Sequence, residues 1–452
     1  MSAIIGIYSN QDVSKKLFYG LNSLQHRGQE ASGICVYNED GLVLDKDNGL
    51  VYDHFNDESF ERLSGKIGIG HVRYATANKP HVYNAQPLLA FARGREFALA
   101  HDGSLVNDEE LRKKLSDEGA LFQTAIDTEV ILSLVARSYD GDIVEAIKKT
   151  MDTIEGAYSV VMLFDNKLVA FRDPNGFRPL VIGESVDGEI IIASENAPIE
   201  IIGRDDNMRD VEPGEIIVVD ETGLHSYHHG NVNKKHCIFE YVYFARNDAN
   251  LDGVNAYNFR RRCGEELAKE APVDADLVIA VPDSGTPGAM GYAQESGIPF
   301  AEGLVKNRYM GRTFIKTTQE ERELAVKLKL NPLEVVLKDK KIIVVDDSIV
   351  RGTTSRNLIK RMKEAGAKEV HFRIISPPVM YPCYYGIDTP SRKKLIAANY
   401  SIEEIRERIG ADSLAFISME GMLKASKLDE DVFCKACFDG DYAVWPKESD
   451  EV

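Results

Sequence analysis

Apolar residues never run long enough in this sequence to cross a bilayer, which takes roughly 18 to 20 in a row. The opening MSAIIGIYS lacks the basic start and long apolar stretch of a secretion signal. A cytoplasmic protein with no membrane partner is expected. Basic residues are outnumbered: 54 Lys and Arg against 72 Asp and Glu leave a net charge of −18, which argues against nucleic acid as the main partner. A basic face and a helix-turn-helix pattern are missing as well. Short-period repeats and low-complexity tracts are absent. Cysteines number only six, and in a reducing compartment they suit metal or cluster ligation better than disulfides.

What is present is a chain of 452 residues with 44% hydrophobic content, enough for two domains that each bury a core. The pattern changes near residue 230. Before it come short alternating strands at 157–164, 167–172 and 189–194, broken by turns at Pro174-Asn175-Gly176 and Glu212-Pro213-Gly214. Helical spacing is found at 14–26, 108–118 and 128–138, so this half reads as layered α+β. Residues 225–235 are polar and aperiodic, as a junction would be. Beyond them the order is strand 277–281, turn 282–286, helix 287–296 and strand 298–304, and a further strand covers 370–376. A parallel twisted sheet with crossover helices accounts for this.

The most informative run is KIIVVDDSIVRGTTS at 341–355. Ile342 to Val345 is a β-branched block suited to a strand buried on both faces. Asp346 and Asp347 stand where that strand ends, which is where open α/β sheets bind ligands. Arg351, Gly352, Thr353, Thr354 and Ser355 then offer close backbone approach, three hydroxyls and a helix start that favours an anion. Either half alone is commonly just a turn or a helix cap. Joined in this order they fit a phosphorylated ribose and its metal. The loop containing Asp283 and Ser284 ends another strand and suits a pyrophosphate arm. Lys306, Arg308 and Arg312, with Tyr309 and Phe314, form a cationic and aromatic segment suited to a lid that excludes water.

The 341–355 run resembles the phosphoribosyl pyrophosphate (PRPP) signature of type I phosphoribosyltransferases. Further segments extend the resemblance: Leu24-Gln25-His26-Arg27-Gly28-Gln29-Glu30, Gly70-His71-Val72-Arg73-Tyr74-Ala75-Thr76, Asp127-Thr128-Glu129, Asp173-Pro174-Asn175-Gly176 and Ser376-Pro377-Pro378. From residue 2 to about 440 the sequence is similar to glutamine PRPP amidotransferases. The resemblance implies an α+β N-terminal-nucleophile (αββα) glutaminase domain over 2–230. An α/β type I phosphoribosyltransferase domain with a cluster-binding tail would follow over 231–452. It also implies the formation of 5-phosphoribosylamine, the first step of purine synthesis, with ammonia taken from glutamine. Carried over residue by residue, Arg27, Arg73 and Asp127 would hold glutamine. Asp283, Ser284, Lys306, Arg308, Asp346, Asp347 and the residues Arg351 to Ser355 would hold PRPP, with Ser284, Asp346 and Asp347 at the magnesium ion. Purine nucleotides are implied as feedback inhibitors, and a homo-oligomer, dimer or tetramer, as the assembly.

Cys434 and Cys437 form C-x-x-C, and with the solitary Cys237 and Cys383 they occupy the positions of a [4Fe–4S] cluster in similar family members. A Cys₄ zinc site competes, because C-x-x-C fits either. Cys35 and Cys263 fall outside the pattern and read as core thiols.

The departures lie at the glutaminase chemistry. Where the family's mature chain begins with cysteine and glycine, this chain has Ser2 and Ala3, and the family's His-Asn-Gly is His101-Asp102-Gly103. A hydroxyl is far less ionised than a thiol. An ionised Asp102 cannot donate to a tetrahedral oxyanion, and one lost donor costs on the order of 100- to 1000-fold in rate. A transferase running on free ammonia or on ammonia from another protein is therefore expected; a serine with slow glutaminase activity and an engineered nucleophile mutant, which would explain Ser2 but hardly Ala3 and Asp102, are the alternatives. A non-catalytic PRPP or nucleotide sensor is the reading from another class. The backbone N–H of Gly103 remains as an oxyanion donor.

Overall fold

The computed structural model describes residues 2–74, 81–203, 207–307, 330–389 and 391–446. Of the expected lid, Lys306 lies within these ranges; Arg308, Tyr309, Arg312 and Phe314 lie outside them.

Two antiparallel sheets form the first half. One orders its strands Arg209–Asp210, Val181–Glu184, Ile190–Ala193, Ser2–Tyr8, Ile67–Arg73, Ala31–Asn38 and Gly41–Asn48. The other runs Gly223–His228, Glu215–Asp220, Lys167–Arg172, Gly156–Phe164, Arg95–Leu105 and Leu88–Ala92. Side-chain alternation explains how they stack. Ile4, Ala98, Ala100, Val161, Leu163, Leu168 and Ala170 fill the space between the sheets. Phe97, Leu99, Val160, Met162, Val169 and Phe171 face outward onto the helices Thr128–Ser138 and Ile143–Met151. On the far side, Ala3, Ile5 and Ile7 meet the helix Ser14–Ser23. Because both sheet faces are buried, the strands Gly156–Phe164 and Lys167–Arg172 are apolar almost throughout and not alternating as expected. The result is the expected αββα layering.

The second half contains a parallel sheet ordered Leu277–Ala280, Lys341–Asp346, Glu369–Ile374 and Ser413–Phe416. Val278, Ile343 and Val345 point to the side of helices Ala256–Glu270 and Gly285–Ser296, while Ile342, Val344 and Phe372 face helices Thr353–Glu364 and Ile402–Ile409. The apolar core beneath Ala3 and Ile5 continues through Ile238, Tyr241 and Phe244 to Val278 and Ile343, so the two halves share buried surface. Cys35 and Cys263 are fully buried core residues, as expected. Among the described residues, no helix is long and apolar enough to cross a membrane.

Three expectations change. Residues 225–228 belong to the strand Gly223–His228, which pairs with Glu215–Asp220. It is a sheet edge with little buried surface, so it carries no apolar alternation to read. The stretch 298–304 is not a sheet strand: Val278 and Phe300 form an isolated bridge, and Leu304–Lys306 pairs instead with Leu330–Pro332. The helix expected over 14–26 ends at Ser23, and the chain turns there so that His26 and Arg27 reach the interior.

Candidate active site

Ser2 begins the strand Ser2–Tyr8 and stands opposite Arg73 in the neighbouring strand. Asp102 lies on the facing sheet, in Arg95–Leu105, and its Oδ1 accepts from the Ser2 backbone N–H at 3.0 Å. Asp102 is fully buried. Burial favours its neutral form, but Arg178 and Arg27 outweigh that and hold the carboxyl down at about 2, so it is ionised at neutral pH.

Behind this contact lies a buried ionic cluster. The Arg27 Nε donates to the Ser2 carbonyl at 3.0 Å, and its two terminal nitrogens reach Glu195 at 2.7 Å, Glu240 at 2.7 and 2.9 Å and Asp102 at 3.3 Å. Arg178 adds contacts of 2.5 Å to Glu240 and 3.5 Å to Asp102. His26 meets Glu195 at 2.8 Å. Arg27 was expected at glutamine, yet every guanidinium nitrogen is taken by protein atoms. It positions Ser2 instead. Three carboxylates face two guanidiniums, leaving one acid in excess beside the Ser2 nitrogen.

Arg73 and Asp127 fit better as amino acid ligands. Arg73 is buried, its Nη1 has no hydrogen-bond partner among the described residues, and Glu30 and Asp127 act on its charge. Asp127 is fixed by the Leu105 N–H at 2.9 Å and by His101 at 3.6 Å. Gly103 has φ +149°, and a Cβ there would lie 2.0 Å from the Ala157 carbonyl, so no side chain is tolerated. Ala3 is fully buried on the opposite face, in the helix-side core.

In the second half, Asp346 closes its strand and Asp347 follows it. Burial pushes both carboxyls up, and the charge of Asp347 raises Asp346 further. Hydrogen bonds from the Ser284 and Ser348 hydroxyls, each 2.6 Å, oppose this for Asp347. Two adjacent buried acids with so little positive charge call for a cationic or polyhydroxyl partner. Lys306 pairs with Asp283, which follows a cis peptide bond from Pro282. Gly352, at φ +74°, starts the helix Thr353–Glu364. The hydroxyls of Thr353 and Thr354 have no partner among the described residues. Sequence spacing missed Arg260, which is buried, donates to the carbonyls of Val242 and Ala245 at 3.1 and 2.8 Å, and lends positive charge to Asp347.

Comparison with known proteins follows this division. A glutamine amidotransferase domain profile matches residues 71–200, and a phosphoribosyl transferase domain profile matches 261–376. The amidophosphoribosyltransferase of Methanothermobacter thermautotrophicus is 45% identical over 453 residues, 99% of this chain and 95% of the relative. That of Methanocaldococcus jannaschii is 46% identical, over 98% and 97%. The chain belongs to the amidophosphoribosyltransferase family. The solved glutamine PRPP amidotransferase of B. subtilis, complexed with ADP and GMP, matches at 42% identity with a TM-score of 0.92, over 100% of this chain and 99% of that one. The chain is therefore a transferase of the first step of purine biosynthesis, built as an amidotransferase domain followed by a phosphoribosyltransferase domain.

The four cysteines set apart by the resemblance come together in this amidophosphoribosyltransferase. Cys237 is the register partner of Cys434 in a short parallel pair, Cys437 sits in the helix Ala436–Asp439, and the Cys383 sulfur accepts from the Tyr385 N–H at 3.3 Å. Burial pushes Cys237 up to about 12 and Cys434 and Cys437 further, and the neighbouring thiols add to each. Among the described residues, no three His, Cys, Asp or Glu side chains are grouped so as to hold a metal ion.

Proposed function

We propose that this enzyme forms 5-phosphoribosylamine from PRPP and ammonia, and that it does not obtain the ammonia by hydrolysing glutamine at Ser2. The hydrogen bond of 3.0 Å from the Ser2 nitrogen to ionised Asp102 carries the reading. Removal of Met1 would turn that nitrogen into an ammonium ion beside a buried carboxylate. An amine held in its protonated form has no lone pair with which to take the proton of the serine hydroxyl. Asp102 thus acts three ways against hydrolysis: it withholds an oxyanion donor, repels the developing charge and ties up the base.

The transferase residues support the other half. The helix start from Gly352 to Ser355 suits the 5-phosphate, Asp346 and Asp347 suit the ribose hydroxyls, and Asp283, Ser284 and Lys306 suit the pyrophosphate arm. Magnesium, when bound, would neutralise the pyrophosphate oxygens, with Ser284 and the two aspartates as its protein oxygens. The two carboxylates would also favour positive charge developing at ribose C1 as its bond to pyrophosphate breaks and the bond to nitrogen forms. Purine nucleotides, sharing the phosphorylated ribose, would compete for this pocket, and a cytoplasmic homo-oligomer is the setting we infer. Because the nucleophile is unprotonated NH₃, the rate at fixed total ammonium should rise with pH as the free base increases. A rate that instead followed total ammonium would contradict this, and pyrophosphate release is a suitable readout.

For the cysteines we favour a [4Fe–4S] cluster over zinc. Iron–sulfur clusters favour four thiolates, and the four thiols lie close enough for their neighbours to raise Cys237, Cys434 and Cys437. A buried anionic cluster also wants a cation, and Arg178 lies near Cys237, fully buried, with three nitrogens that lack aligned hydrogen-bond acceptors among the described residues. Protein purified without oxygen should be brown and contain about four irons per chain. Colourless protein with one zinc per chain would favour the alternative.

A further inference from the structure

Arg172 ends the strand Lys167–Arg172 of the amidotransferase half and is fully buried, and it makes no hydrogen bond to the residues assigned to glutamine or PRPP. Its side chain reaches into the other half instead. Nη1 and Nη2 donate to the two carboxylate oxygens of Asp252, each at 2.8 Å, and the remaining donors go to the carbonyls of Arg178 at 2.8 Å, Val211 at 2.7 Å and Gly176 at 2.9 Å. Every N–H of the guanidinium is thereby used. A bidentate pair of this kind fixes orientation as well as distance. The Asp252 N–H also donates to Asp210 of the first half at 2.8 Å, and His236 stands 3.2 Å from the Asp252 carboxylate.

Asp252 lies at the tip of a hairpin in which Asn250–Leu251 pairs with Val254–Asn255. Its φ is +48°, a conformation that Asp and Asn tolerate better than most side chains. Asn196 of the first half adds a second grip, its Oδ1 accepting from the Asn250 N–H at 2.9 Å. The hairpin runs directly into the helix Ala256–Glu270, which Asn255 caps by accepting from the Asn258 N–H at 3.0 Å. That helix meets the helix Gly285–Ser296 backbone to backbone. A Cβ on Gly264 would stand 1.9 Å from the Gly288 carbonyl, and one on Gly291 would stand 1.9 Å from the Arg261 carbonyl. At these points no side chain lies between the helices to absorb a displacement, so a shift of one moves the other. The helix Gly285–Ser296 begins immediately after Ser284, whose hydroxyl donates to Asp347 at 2.6 Å.

We propose that Asp252, clamped by Arg172, is a positioning residue for the transferase reaction. It fixes the hairpin and the two helices behind Ser284, and so sets where the Ser284 hydroxyl and Asp347 meet PRPP. The amidotransferase half thereby serves the transferase site as a fixed support, whatever happens at Ser2. This role rests on the assignment of Ser284 and Asp347 to PRPP made above and not on the nitrogen source.

The test is a double-mutant cycle in the full chain, read as PRPP affinity by calorimetry with magnesium present, with a thermal melt on each preparation. Asp252→Asn keeps the shape of the side chain and suits the same turn, and removes only the charge. It should weaken PRPP binding about 3- to 30-fold at a temperature where the protein is folded. In the Ser284→Ala background the same substitution should weaken binding little further, because the hydroxyl through which it acts is gone. A merely structural role would lower the melting temperature and leave the affinity of the folded protein unchanged, and action by another route would give the same loss in both backgrounds. Either result would overturn the inference. Asp347→Asn is the control for the PRPP assignment: a loss there with none in Asp252→Asn overturns the positioning role alone, and no loss in either overturns both. Should Asp252→Asn fail to fold because Arg172 is left uncompensated, Arg172→Gln/Asp252→Asn removes both charges and runs through the same cycle.

Discussion

The double variant Ser2→Cys/Asp102→Asn is expected to release glutamate from glutamine at least about 1000-fold faster than the unaltered chain, once Met1 is removed. The thiol supplies a nucleophile that ionises near neutrality, and the asparagine amide supplies the missing donor. The same substitution frees the terminal amine from its carboxylate, because the 3.0 Å contact from the Ser2 nitrogen to Oδ1 then ends on a neutral group. Each single variant keeps one fatal defect: Ser2→Cys retains the charged Asp102, and Asp102→Asn retains the weak hydroxyl. Residues acting as a unit are not additive, so neither single change should recover more than a small part of the gain. Ala3 is no obstacle, since it packs in the helix-side core away from the site. Glutamate release by the four proteins, with PRPP present, checks this. Full recovery from either single substitution would mean that only one of the two departures matters.

Asp347→Asn should weaken PRPP binding in the presence of magnesium on the order of 10- to 100-fold, as expected for loss of a charged hydrogen-bonding partner. The fold should not suffer. Both carboxyls are pushed up by burial, so the folded state favours the proton and is penalised as pH rises above their ordinary range. Replacing one acid by its neutral counterpart removes part of that penalty at neutral pH. The melting temperature without ligand should be unchanged or higher, while affinity falls. Calorimetry and a thermal melt on the same preparation separate the two effects. Unchanged affinity would remove Asp347 from the binding site.

The transferase loop was legible because everything it needs is contiguous: strand, two acids, glycine and helix start follow one another over fifteen residues. The helix Thr128–Ser138 was bounded correctly because it buries one regular face, and the strand Lys167–Arg172 because it is a short apolar run bracketed by a lysine and an arginine. The edge strand Gly223–His228 was missed for the opposite reason, since it buries almost nothing. The ionic cluster could not be read from spacing. Arg27 meets partners 168 and 213 residues away, and such pairings leave no local pattern. Yet a signal existed. Glu240 stands alone in the apolar and aromatic run CIFEYVYFA, and a lone acid in such a setting is buried only with a cation. The departures at Ser2 and Asp102 were visible in the sequence, but that they touch, and that the contact binds the nitrogen expected to act as base, required the fold.

One comparison tests the central claim most directly: phosphoribosylamine formation by the unaltered chain with PRPP and magnesium, supplied in turn with ammonium at alkaline pH and with glutamine at neutral pH, while glutamate is measured alongside. Turnover with ammonium and no glutamate above the uncatalysed background with glutamine is the predicted result. Rapid glutamate release matched one for one by phosphoribosylamine would contradict it, and would make Ser2 a working nucleophile despite its carboxylate neighbour.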